Sequence, residues 1–145
     1  MLAILFSLGS NRYAIDSHSV MEIVPVPSLS AVPHAPECIA GQFNYRGAIV
    51  PVLDLRHLVE GKTCVAELGT RIVIIHCREH ILGLMAEKVT EVRRLEEAQT
   101  TAAPVSSSAA PYLGRMLVEE RELIQFVKVD ELLMPALRNI LFVNS

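Results

Sequence analysis

Three cysteines and five histidines are the first residues to try for chemistry, since thiolates and imidazoles serve as metal ligands, nucleophiles and bases. Cys38, Cys64 and Cys77 lie far apart, and only Cys77 has a histidine as its immediate neighbour, His76. Successive side chains on a strand point to opposite faces, so these two neighbours cannot chelate one ion, and no metal or cofactor is expected. No Gly-x-Ser-x-Gly elbow is present, and Ser106-Ser107-Ser108 falls in a low-complexity stretch where no base is held in place. Phosphate-cradling glycine motifs are missing as well. The paired carboxylates Glu96-Glu97 and Glu119-Glu120 sit beside turns and read as solvated edges. The sequence therefore predicts no catalytic residues. One remote alternative stays open, a small cysteine-dependent enzyme using Cys38, Cys64 or Cys77 with a distant histidine.

Recognition by surface is what remains. The 145 residues carry a formal charge of −3, from 13 Lys+Arg against 16 Asp+Glu. Phosphate neutralisation needs a basic face, and the scattered arginines supply none, which argues against nucleic acid as a partner. An odd cysteine count without a secretory context reads as free thiols in a reducing compartment. The opening MLAILFSL lacks a positive n-region and a cleavage site, and no apolar run approaches the ~20 residues of a spanning helix. The expectation is a cytoplasmic protein without membrane insertion. With 51% hydrophobic and 20% charged residues, one domain over 1–145 buries an adequate core.

The elements that position any recognition surface are short apolar runs between turn residues, the all-β pattern. Leu2, Ile4, Phe6 and Leu8 share one strand face. Asp16-Ser17 caps a single helical turn before Val20–Val24. Pro25, Pro27, Pro33 and Pro36 make an extended connection, pinned by Leu29 and Val32. Ile39–Arg46 and Ala48–Leu53 form a hairpin joined near Arg46-Gly47, where the glycine tolerates the positive φ that tight hairpins need. Asp54 and Arg56, two apart on a strand, share a face and form a local ion pair. Arg71–Cys77 is apolar on both faces and predicts a strand buried on both sides. Gln99–Pro111 reads as a surface loop, and Arg115–Glu119 with Leu123–Val129 as a last hairpin. Asp130–Phe142 reads as a helix capped by Asp130 and kinked at Pro135, with Leu132, Leu133, Ala136, Leu137, Ile140 and Leu141 on its apolar face. About ten strands fit two small barrels better than one sheet.

The order of these motifs resembles that of the CheW-like chemosensory coupling proteins. The matching pieces are Phe6-Ser7-Leu8-Gly9, Tyr13-Ala14-Ile15-Asp16, Val20-Met21-Glu22-Ile23 and Ile39–Gly47. Ile49-Val50-Pro51-Val52-Leu53-Asp54-Leu55-Arg56 and Gly83–Val89 follow in turn. The resemblance implies two five-stranded SH3-like β-barrels sharing a hydrophobic core, with a short C-terminal helix, and no catalytic activity. It also implies the partners: the regulatory domain of a CheA-type histidine kinase and the cytoplasmic tip of methyl-accepting chemoreceptors, in membrane-bound arrays. The alternative output is a chemosensory-like pathway controlling surface behaviour or cyclic-di-GMP synthesis.

By the same resemblance, Arg46 matches the arginine of the family's Asn-Leu-Arg-Gly motif, with Asn44 and Tyr45 beside it and Glu22 as its surface partner. Val20 and Ile23 supply the apolar part of that contact, and Gly41 and Gly47 serve turn geometry. Tyr45 departs from the family's leucine and places a larger, partly polar side chain at the presumed interface.

Overall fold

The structure is a computed structural model that describes residues 1–64, 67–96, 100–101, 110–119 and 122–142. Eleven strands are present among them: β1 (Leu2–Leu8), β2 (Asn11–Asp16), β3 (Val20–Pro25), β4 (Ile39–Tyr45), β5 (Ala48–Asp54), β6 (Arg71–Cys77), β7 (His80–Ala86), β8 (Lys88–Arg94), β9 (Thr100–Thr101), β10 (Leu113–Glu119) and β11 (Glu122–Val127). Two short helices accompany them, α1 (Leu55–Glu60) and α2 (Pro135–Leu141).

The strands form two sheets. One, in the order β8-β1-β2-β11-β10-β9, is made from the two ends of the chain; the other, β3-β6-β7-β5-β4, is continuous in sequence. We call them the terminal and the central barrel. The expectation of five strands each holds for the central barrel, while the two-residue β9 gives the terminal one a sixth. Thr100-Thr101 is thus a strand, not loop; residues 102–109, with Val105 and the three serines, lie outside the described residues, as do Glu97 and Glu120.

Alternation along the strands explains how two barrels share one core. On β6, Ile72 and Ile74 turn into the central barrel, where they meet Val52 and the partly buried Val24, Leu29, Phe43, Tyr45, Ile81 and Met85. Val73, Ile75 and Cys77 turn the other way, into a cluster between the barrels with Phe6, Leu8, Tyr13, Ile15, Leu53, Leu55 and Leu84. This is why Arg71–Cys77 is apolar on both faces. On β1, Ala3 and Leu5 face the terminal barrel's own core, with Ala14, Leu95, Leu117 and Ile124, whereas Phe6 and Leu8 join the shared cluster past a bulge at Leu5/Phe6.

The proline-rich connection that follows β3 covers the free edge of β4. Ser30, in the proline-rich connection, exchanges two backbone hydrogen bonds of 2.8 Å with Gln42 on β4, and Leu29 is pinned inside. Gly41 lies at a β4 bulge rather than at a turn, with φ +152°. A Cβ there would stand 2.8 Å from Leu29 Cβ and from the Ser30 carbonyl oxygen, so only glycine lets the connection approach.

Local capping follows the sequence in one place and departs from it in two. Asp16 accepts from the His18 amide at 3.0 Å and opens a 3₁₀ turn over Ser17–Ser19, as expected. Asp54 ends β5 and caps α1, so it does not share a strand face with Arg56 and forms no pair with it. At the C-terminus Asp130 sits inside a 3₁₀ turn over Val129–Glu131, not at a cap. Pro135 opens α2 instead of kinking it, because its missing N–H is an orphan donor at the first helical position anyway. Leu132, Leu133 and Leu137 are buried as expected, but Ile140 is exposed. The thiols of Cys38, Cys64 and Cys77 are free and buried, with His76 exposed on the opposite face from Cys77.

Candidate partner-binding site

The β4–β5 hairpin ends in a two-residue turn, Tyr45 pairing with Ala48 across Arg46 and Gly47. Both central residues have positive φ, +52° and +88°. That is the pattern a right-handed twist requires of a two-residue hairpin, and Asn-Gly or Gly-Gly adopts it most easily. Arginine there is held in a left-handed conformation its Cβ disfavours by about 1 kcal/mol. Asn44 fixes the turn, its Oδ1 accepting from the Gly47 amide at 2.9 Å.

Glu22 comes to this tip from β3, at the other edge of the sheet order. Its Oε1 accepts from the Tyr45 hydroxyl at 2.6 Å and from Arg46 Nη2 at 2.7 Å. The same contacts draw the two edges of the central barrel together. Tyr45 serves both surfaces: its ring packs against the barrel's inner cluster, edge-on to Phe43 at 6.3 Å, while its hydroxyl reaches Glu22. The Arg46 guanidinium carbon lies 5.2 Å from the Tyr45 ring centroid. Hydrogen bonding to the carboxylate, then desolvation, raises the Tyr45 phenol above its ordinary pKa. Arg46 itself remains 74% exposed.

Glu22, Tyr45 and Arg46 are therefore one cluster, with Asn44 bracing it from below. Val20 and Ile23 are not part of it. Val20 packs against the shared core, and Ile23 alternates with Glu22 and emerges, exposed, on the opposite face of β3 beside exposed Met21. The bulge between Val20 and Glu22 is what separates their directions.

A second set of charges, missed at the level of sequence, lies at the far end of the same motif. Arg56 on α1 donates from Nη1 to Glu87 Oε2 at 2.8 Å, and its Nε stands 3.6 Å from Glu60 Oε1. Glu87, between β7 and β8, accepts the Gly9 amide at 2.7 Å; Glu60 accepts from Asn11 Nδ2 at 3.0 Å and the Tyr13 hydroxyl at 3.1 Å. These contacts tie α1 of the central barrel to the β1–β2 turn of the terminal one. Asp54 organises the neighbouring loop, accepting from the His57 amide at 3.0 Å and the Cys64 amide at 2.8 Å. A signal was present for Glu87 alone: it follows directly on the apolar run Ile81–Ala86.

Nothing in this arrangement activates a thiol. Burial pushes the Cys64 thiol up to about 12, with Asp54 adding to the shift, and burial raises Cys38 and Cys77 in the same direction. No helix among the described residues is long and apolar enough to cross a membrane.

Two barrels packed on one shared core, with the motif-bearing hairpin on the central one, make up the fold. The family model of the CheW-like domain matches residues 2–135, and the chain belongs to that family. It is similar to Chemotaxis protein CheW of Klebsiella aerogenes, 30% identical over 133 residues that cover 90% of this chain and 80% of the relative. It also resembles Protein FrzA of Myxococcus xanthus, 32% identical over 108 residues covering 72% and 66%. Among solved structures it matches the scaffolding protein TtCheW of Thermoanaerobacter tengcongensis with a TM-score of 0.84 and 26% identity, over 94% of this chain and 89% of that one. The chain is accordingly an adaptor of chemotaxis signalling and not an enzyme.

Proposed function

We propose that this chain couples methyl-accepting chemoreceptors to a CheA-type histidine kinase, using the tip of the β4–β5 hairpin as a contact for one of these partners. The observation that carries the reading is Arg46: a largely exposed arginine kept in a left-handed conformation and fixed by Glu22 and Tyr45. Backbone strain of this kind persists where surrounding contacts over-determine it, and it clusters at functional sites. A guanidinium offers five donors in a planar fork, and among the described residues Arg46 uses one of them, from Nη2 to Glu22. The protein works in the cytoplasm, recruited to receptor arrays through its partners.

Reconstitution of kinase with receptor-bearing membranes tests this. Arg46→Glu is expected to abolish receptor control of the kinase, since reversing a central interface charge removes roughly 2 kcal/mol or more of binding. Circular dichroism and melting should remain those of the parent. Control retained by the reversed protein would refute the site. A second reading, output to surface behaviour or cyclic-di-GMP synthesis, is motivated by Tyr45, which stands at the contact where the family has leucine. Swimming assays and cyclic-di-GMP levels in a deletion strain separate the two outputs.

A further inference from the structure

An exposed arginine–carboxylate pair holds neither side chain firmly: it contributes at most about 1 kcal/mol and must order two flexible chains. Glu22, 38% exposed, is not by itself an anchor for Arg46. Tyr45 is. Its ring has only two rotatable bonds and is packed among the side chains of the inner cluster, so the hydroxyl is a point fixed to the barrel. From that point a chain of contacts runs outward: hydroxyl to Glu22 Oε1 at 2.6 Å, and Oε1 to Arg46 Nη2 at 2.7 Å. The ring also lies under the guanidinium, 5.2 Å from centroid to Cζ, so Tyr45 restrains Arg46 from two directions. A carboxylate oxygen that also accepts from a phenol competes less strongly for the guanidinium's remaining donors, which face no partner among the described residues.

We infer that Tyr45 is a positioning residue: its phenol holds Glu22 where Glu22 orients Arg46, so that the hairpin tip meets its partner already ordered. The role rests on the reading of this tip as a partner surface. Tyr45 touches the partner, on this account, through Arg46 and not in its own right. Ordering a long side chain before binding removes part of the entropic penalty of association.

The test is a double-mutant cycle with the full-length protein and the purified regulatory domain of the cognate CheA-type kinase as probe, joined to a measurement that needs no partner. Tyr45→Phe keeps the ring and its packing and deletes only the hydroxyl. It is expected to weaken binding about three- to tenfold in the parent and to change it less than about twofold in an Arg46→Lys background, where the fork is absent. In the free protein, the ¹⁵N order parameter of Arg46 Nε is expected to fall in Tyr45→Phe while the melting temperature barely moves. Equal losses in both backgrounds would make Tyr45 a contact in its own right and overturn the inference. An unchanged order parameter would overturn it too. Should Arg46→Lys bind the probe like the parent, the kinase domain is not the partner of this tip; the order parameter still decides whether Tyr45 positions Arg46.

Discussion

Arg46 and Arg56 stand ten positions apart in one continuous motif, and each meets a glutamate at under 3 Å. Their surroundings differ. Arg46 and Glu22 are 74% and 38% exposed, whereas Arg56, Glu60 and Glu87 are 18%, 18% and 9%. Around Arg46 one carboxylate oxygen serves two donors and the guanidinium still faces solvent. Around Arg56 the carboxylates also accept from Gly9, Asn11 and Tyr13, three residues of the other barrel. The same kind of ion pair is left exposed at one end of the motif, where we propose that a partner docks, and forms an internal joint at the other. Burial and the number of additional donors decide which.

That contrast breaks most visibly on removing a buried carboxylate. Glu87→Ala leaves the Arg56 guanidinium and the Gly9 amide without their acceptor and should lower stability by about 3 kcal/mol, read from urea denaturation. An unchanged midpoint would show that the joint is as dispensable as a surface pair. Gly41→Ala asks whether the hairpin's base is as constrained as the joint. Its Cβ would press on Leu29 Cβ and the Ser30 carbonyl, and a loss of about 2 kcal/mol is expected in the same experiment.

At the exposed end the sign reverses. Arg46→Asn relaxes a left-handed residue that asparagine tolerates and should leave the protein as stable or up to about 0.5 kcal/mol more stable, by thermal melting, while receptor control of the kinase is lost. A drop in melting temperature beyond that scale would mean the Glu22 pair carries stability after all.

The smallest effect concerns Glu91, held below the usual carboxylate range first by Arg93 and then by Arg12. A depressed folded-state pKa stabilises the fold above the unfolded value, and that contribution is lost as pH falls through the folded one. A ¹³C titration should place the Glu91 midpoint below that of an unstructured glutamate.

Strand alternation made much of this architecture legible. Arg71–Cys77 announced burial on both faces, and the shared core supplies the reason. The place of the turn and the positive φ of Gly47 were likewise readable, because a tight hairpin restricts φ whatever surrounds it, whereas the left-handed Arg46 was not. Asp54 and Arg56 were misjudged as a strand pair, since nothing in Leu53-Asp54-Leu55-Arg56 separates a continuing strand from a capped helix. Pro135 was read as a kink by its place in a long apolar pattern, when the helix only begins there. Arg56–Glu87 lies beyond local reasoning: 31 residues separate the pair, and the parallel pairing of β5 with β7, Asp54 beside Met85, brings them together. Val20 and Ile23 stand apart from the Glu22 cluster for two different reasons: a bulge, which leaves no mark in composition, redirects Val20, and plain strand alternation turns Ile23 to the other face.

Building one barrel from the two ends of the chain has a consequence for how the molecule assembles. The central barrel has all its strands once Ala86 has been synthesised, and its contacts span modest stretches of chain. The terminal barrel pairs β2 with β11, Arg12 beside Ile124, and must wait until β11 has been synthesised. Closing so long a loop is slow, so the order of folding is expected to be central first, terminal second. Until then Phe6, Leu8, Tyr13 and Ile15 leave the ribosome ahead of the partners that cover them, and the nascent chain is most prone to aggregate in that interval.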